Sequence, residues 1–153
     1  MKVILLVGLG GFVGALARYG LSKLLQPANP HPFFSAGTLT ANVLGCMLMG
    51  FLVVLFAQDM EEGYREALVA FILTGFLGSL TTFSTFILEF FKLSQTPGVK
   101  LAFSHRAAHL CTGLFGLWAG HALGQKIFGE PCEVVFQTGN DCVSTAFGEN
   151  LLR

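Results

Sequence analysis

Charge is what this chain of 153 residues has little of. Asp, Glu, Lys and Arg together make up 12% of it, about half the share of an ordinary soluble domain. A soluble fold this short covers its surface with charged side chains, and this chain has too few. The deficit is concentrated in three stretches: no charged residue occurs from Leu24 to Gln58, from Ala67 to Leu88, or from Ala107 to Gln125. Net charge is zero, which leaves no electrostatic basis for a nucleic-acid partner. Metal-ligand spacing is missing as well. Of the four cysteines, Cys46 and Cys111 fall in apolar runs and read as small packing residues, while Cys132 and Cys142 lie near the C-terminus and would pair only in an oxidising compartment. His105 and His109 have the spacing of a zinc-protease pair, but Arg106 stands where the general-base glutamate is required, so that reading fails. With no Asp or Glu inside the charge-free runs, a carboxylate proton relay is also excluded. Nothing here is the machinery of an enzyme.

What the chain has in quantity is apolar surface and glycine. Hydrophobic residues make up 53%, with 16 Phe and 19 Gly. A helix crosses about 30 Å of hydrocarbon with about 20 apolar residues. Segments near Ala36–Ala57, Ala67–Phe91 and Leu101–Ile127 meet that need. A fourth candidate, Val3–Leu25, carries Arg18 and Lys23 in its last turns. The expectation is an all-α membrane protein of four transmembrane helices. Lys2, the apolar run and Ala15-Leu16-Ala17 also imitate a cleavable secretory signal; Gly8, Gly10, Gly11 and Gly14 inside that run suit helix packing better. Gln26–Pro32, with three prolines in seven residues, and Gln95–Gly98 read as connections, as does the acidic stretch Asp59–Gly63. Gly129-Glu130-Pro131 ends the last helix. The chain divides into a four-helix membrane domain, 1–128, and a polar C-terminal tail outside the membrane, 129–153.

With four spans, Lys2, Arg65, Lys126 and Arg153 lie on one side and Arg18, Lys23, Lys92, Lys100 and Arg106 on the other. Four against five gives the positive-inside rule almost nothing to act on. Two readings stand: insertion in both orientations, which allows an antiparallel homodimer, or one orientation set by Arg18 and Lys23.

Polar residues at membrane depth are costly and tend to mark a pathway. Thr38 and Asn42, four apart in Gly37–Gly45, share one helical face; ordinary interhelical hydrogen bonding also accounts for them. Gly75–Phe86 packs five hydroxyls among glycines and phenylalanines. Residues 78–85 are poor helix formers, and a helix broken there frees carbonyls suited to a small monovalent cation. An unbroken helix with hydroxyls bonded to the preceding turn is the plainer alternative.

Three stretches, Gly10–Tyr19, Gly37–Gly45 and Gly75–Phe86, together resemble the Fluc (CrcB) family of small fluoride channels, in that family's order and over about residues 3–128. The resemblance implies four-helix subunits with the third helix broken mid-membrane, an antiparallel dual-topology homodimer with two pores, and a location in the cell inner (plasma) membrane, where fluoride is exported from the cytoplasm. It also implies a structural Na+ at the dimer interface, held by the backbone carbonyls of Gly78 and Thr81 from both subunits. Phe83 and Phe86 match the pore aromatics, and Asn42, Thr38, Ser84 and Thr85 match polar pore positions. Glu89 lies toward a vestibule, and Arg18 matches the arginine of the first motif. His105 and His109 depart from the family, standing where Tyr and Ser are usual; His109 is a replacement for a hydroxyl donor, a group that makes conduction pH-sensitive, or a packed neutral side chain. Partners are then the fluoride ion, the lipid bilayer and a second copy of the chain.

Two other readings fit the size and span number. A small dual-topology multidrug/proton antiporter requires a carboxylate in its first span, and the stretch before Arg18 has none. A non-transporting scaffold would use the glycines only for assembly and leaves the hydroxyl-rich segment without a purpose.

Overall fold

The computed structural model describes residues 1–25, 36–58, 60–95 and 99–129, with the side chains of 93, 99–105 and 108 left aside. The proline-rich connection, Asp59, the Pro97 turn, His105's side chain and the tail with Cys132 and Cys142 lie outside the described residues. Every regular element described is helical. They are α1 (Lys2–Leu25), α2 (Ala36–Phe56), α3 (Glu62–Leu68), a π-helical segment (Val69–Leu77), α4 (Gly78–Leu80), α5 (Phe83–Ser94) and α6 (Val99–Phe128). Among the described residues, three stretches are long and apolar enough to cross a membrane: Lys2–Leu25, Ala36–Phe56 and Glu62–Lys92. Helix α6 covers the fourth expected segment; its thirty residues reach about 45 Å, but His109, His121 and four glycines dilute its apolar character. It ends where Gly129, at φ 86°, donates its N–H to the Gln125 carbonyl at 2.8 Å, a left-handed cap that favours glycine.

Each charge gap lies over helix, and the third segment adds two features. From Glu62 the chain is helical without interruption to Leu80, but its middle nine residues are π-wound, and the Gly78 N–H reaches back five residues to Leu73. Thr81 then turns extended (φ −82°, ψ 150°), and helix resumes at Phe83. The interruption is therefore two residues wide, and Gly78-Ser79-Leu80, expected to resist helix, is helical.

Two glycine seams assemble the bundle. Helix α1 lies on the π segment, where a Cβ at Gly10 or Gly14 would run into the carbonyl of Phe71 or Phe76, and one at Gly75 would sit 2.7 Å from the Val7 carbonyl. The Ser79 hydroxyl locks this seam by donating to the Gly11 carbonyl at 2.7 Å. Helix α2 lies on α6, where Gly116, Gly120 and Gly124, spaced four apart, meet the backbone of Val43, Met47 and Phe51, the small-xxx-small arrangement of close helix pairs in lipid. A side chain at Gly120 cannot be relieved by rotation, because what it meets is the Met47 carbonyl. Gly120→Leu is expected to destabilise the protein by about 3 kcal/mol, read as a lowered unfolding temperature in detergent; an unchanged temperature would contradict the seam.

Phe56, Leu73, Leu77 and Leu80 form the buried cluster. Outside it, α1 turns Ile4, Leu5, Leu9, Phe12 and Leu16 outward, each more than half exposed. An apolar face of this size calls for lipid or a partner.

Candidate functional site

The site is built around the two-residue interruption. Helix α2 places the Asn42 carboxamide against it: Asn42 Oδ1 accepts the Thr82 N–H at 2.9 Å, and Nδ2 faces the Thr82 carbonyl at 3.5 Å. One side chain thus partners both polar groups of a residue that has left the helix. The Thr82 N–H is thereby turned away from the Gly78 carbonyl, its partner in a continuing helix. Thr82 also starts α5. Its Oγ1 accepts the Thr85 N–H at 3.4 Å as an N-cap, donates to Thr85 Oγ1 at 3.2 Å, and lies 3.2 Å from Ser84 Oγ. The hydroxyls of Ser84 and Thr85 are thus gathered on Thr82. Thr81, extended, keeps its hydroxyl on the Leu77 carbonyl (3.0 Å), and its methyl presses on Gly45, where a side chain would not fit.

A cavity of about 430 Å³ opens beside the interruption, between α2 and α6 and under the first turn of α5. Of the residues singled out from sequence, it brings together Asn42, Thr81, Phe83, Phe86 and His109 on its wall. Phe83 is 71% exposed and Phe86 7%, their ring centroids 5.8 Å apart. The His109 ring, buried, lies 5.7 Å from Phe86. The lining is mainly apolar, with a few polar groups at fixed places, the usual character of a small-ligand site.

Ser84 and Thr85, gathered on Thr82, are not on that wall, and four other expected residues stand further off. Gly78, in α4, is one turn before the interruption and not on the cavity wall. Arg18, half-buried on α1, makes no ion pair with the described residues. Thr38 and Glu89 meet behind the cavity: the buried Thr38 hydroxyl donates to Glu89 Oε1 at 2.7 Å. The other oxygen of Glu89 pairs with Arg106 Nη1 at 3.4 Å.

Sequence reasoning missed Thr82 and Arg106 as site residues. Thr82 had a signal, a hydroxyl residue immediately before the apolar run that opens at Phe83. Arg106 had none of its own. It is only 5% exposed, and besides Glu89 its Nη1 contacts the Phe86 carbonyl at 3.4 Å, while its guanidinium carbon sits 5.2 Å from the centre of the Phe86 ring.

Residues 5–121 match the family profile described as CrcB-like protein, Camphor Resistance (CrcB). Curated relatives are matched over nearly their whole length. The chain is 42% identical to the fluoride-specific ion channel FluC of Nitratidesulfovibrio vulgaris, over 83% of this chain and 100% of that one. It is 39% identical to the protein of the same name from a Nitratiruptor species, over 84% and 96%. It is also 39% identical to fluoride-specific ion channel FluC 1 of Brucella melitensis biotype 1, over 76% and 94%.

Proposed function

Since the chain belongs to the CrcB-like protein, Camphor Resistance (CrcB) family, we propose that it is a fluoride-selective passive ion channel. The observation that carries this reading to the residues is the interruption at Thr81–Thr82, which sets Asn42, Phe83 and Phe86 around one cavity. Fluoride is small and strongly hydrated, and a narrow path must replace lost water with donors. Asn42 Nδ2 carries two hydrogens, one of them directed at Thr82, and Ser84 and Thr85 contribute hydroxyls beside it. The positive ring edges of Phe83 and Phe86 can meet an anion without offering it a lone pair. Thr38 stands behind this wall and joins it through Glu89 and Arg106, which reaches Phe86.

In this reading, four helices cross the membrane, Val99–Phe128 being the last, and the break in the third lies at mid-depth. Two copies assemble antiparallel in the cell inner membrane, each contributing to one of two pores that export fluoride from the cytoplasm. The outward apolar face of α1 supports a lipid or partner contact, and the near-even Lys and Arg distribution supports insertion in both orientations. The residues also suit a structural Na+: Gly78 has lost the Thr82 N–H as a helical partner and Thr81 is extended, so their carbonyls would hold the ion in place of its hydration shell. Two carbonyls from one chain would be joined by two from the other. Such an ion supplies a fixed positive potential near an anion path.

The antiporter reading needs a carboxylate free to exchange its proton for a cation, and Glu89 is tied between Thr38 and Arg106. The deciding measurement is efflux from proteoliposomes loaded with fluoride or with chloride. Fluoride is expected to leave passively and chloride to stay. Proton-coupled cation exchange, or no fluoride release, would overturn the channel reading.

A further inference from the structure

We propose that Arg106 is a positioning residue for fluoride conduction, fixing Phe86 against the cavity and polarising its ring; this rests on the channel reading above. One guanidinium takes hold of Phe86 twice. Nη1 lies 3.4 Å from the Phe86 carbonyl, and the guanidinium carbon lies 5.2 Å from the ring centre. The same Nη1 reaches Glu89 Oε2, three residues further along α5, and Thr38 holds the other Glu89 oxygen from α2. Main chain and ring at position 86 are therefore referred to a single point on α6. This matters because, among the described residues, α5 packs mainly on α6 and makes little contact with the rest of the bundle. Nε and Nη2 of Arg106, both buried, have no partner among the described residues, so the contacts to Phe86 and Glu89 are what account for the placement of the group.

The charge also acts through the ring. A cation over an aromatic face attracts the electron-rich π cloud, and drawing density to that face leaves the ring's rim more positive. An anion at the rim is then held more strongly, so face and edge interactions reinforce each other. Glu89 balances the guanidinium, so Arg106 does not trap a passing anion by its net charge; it acts by way of Phe86. Arginine suits the task better than lysine because its plane can stack on the ring while its fork reaches the carbonyl and the carboxylate.

The test compares fluoride efflux from proteoliposomes for the wild type, the charge-neutral pair Arg106→Gln/Glu89→Gln, Phe86→Ile, and the triple variant. The pair is expected to lose at least about tenfold in flux and to keep the wild-type elution volume in detergent. The triple variant is expected to match Phe86→Ile within about twofold, because residues acting through one another are not additive. If the pair does not fold, Arg106→Lys replaces it, since lysine keeps the ion pair but not the stacked plane, and the same comparison applies. A pair with wild-type flux overturns the inference, as does a triple variant whose loss is the product of the two. A wild-type protein that passes no fluoride overturns the channel reading and this inference with it; normal wild-type flux with an unaffected pair overturns the inference alone.

Discussion

Fluoride efflux from proteoliposomes is expected to fall about a hundredfold when Phe86 is replaced by isoleucine, with the protein still folded. Isoleucine stays apolar and fills much of the same space, so the buried position, 7% exposed, tolerates it. What it lacks is a ring. Three contacts depend on that ring: Phe83 at 5.8 Å, His109 at 5.7 Å and the Arg106 guanidinium at 5.2 Å. Losing them together with the positive edge offered to an anion amounts to about 3 kcal/mol, or about a hundredfold in rate. Phe83→Ile is expected to act in the same direction and less strongly, because Phe83 is largely exposed and its ring is fixed by fewer neighbours. Near-normal flux in both variants would remove the two rings from the conduction path.

The second large effect is on stability. Glu89→Ala leaves a buried guanidinium with the Phe86 carbonyl as its one remaining hydrogen-bond acceptor among the described residues, and breaking a buried pair from one side costs about 3–5 kcal/mol. The Thr38 hydroxyl loses its bond to Glu89 in the same step. Replacing both charges, as in Arg106→Gln/Glu89→Gln, avoids the stranded ion and is expected to cost much less. Thermal unfolding in detergent distinguishes the two, with the single alanine variant the less stable. An alanine variant as stable as the neutral pair would mean that Arg106 finds another partner.

Much of the fold was legible because membrane spans are written in what the sequence omits. The gap from Leu24 to Gln58 contains α2, and the positive-φ glycine at 129 ends α6 at its predicted place. The location of the interruption was legible too, from the density of glycine and hydroxyl residues between Gly75 and Phe86. Its width was not, since whether Gly78-Ser79-Leu80 stays helical depends on Ser79 reaching the Gly11 carbonyl in α1. The π winding of Val69–Leu77 was invisible to periodicity: in a continuously apolar run, one extra residue per turn changes no pattern. Arg106 escaped notice because its partners lie 17 and 20 residues away on another helix. Local spacing offered only the failed zinc motif. Thr38 and Glu89 were singled out separately, and nothing short of the packing of α2 on the later helices could join them.

Asn42 imposes a rule on anyone redesigning this protein. Its carboxamide stands in for a neighbouring strand, answering both the amide and the carbonyl of Thr82 with one acceptor and one donor. Aspartate would keep the first function and forfeit the second, and leucine would forfeit both. Residue 42 is therefore part of the chain's carpentry as well as its chemistry, and changes there will move the helix junction along with any ion contact. Attempts to retune which anion passes should begin at Ser84, whose exposed hydroxyl touches the Thr82 cluster from outside and, among the described residues, holds up none of the backbone.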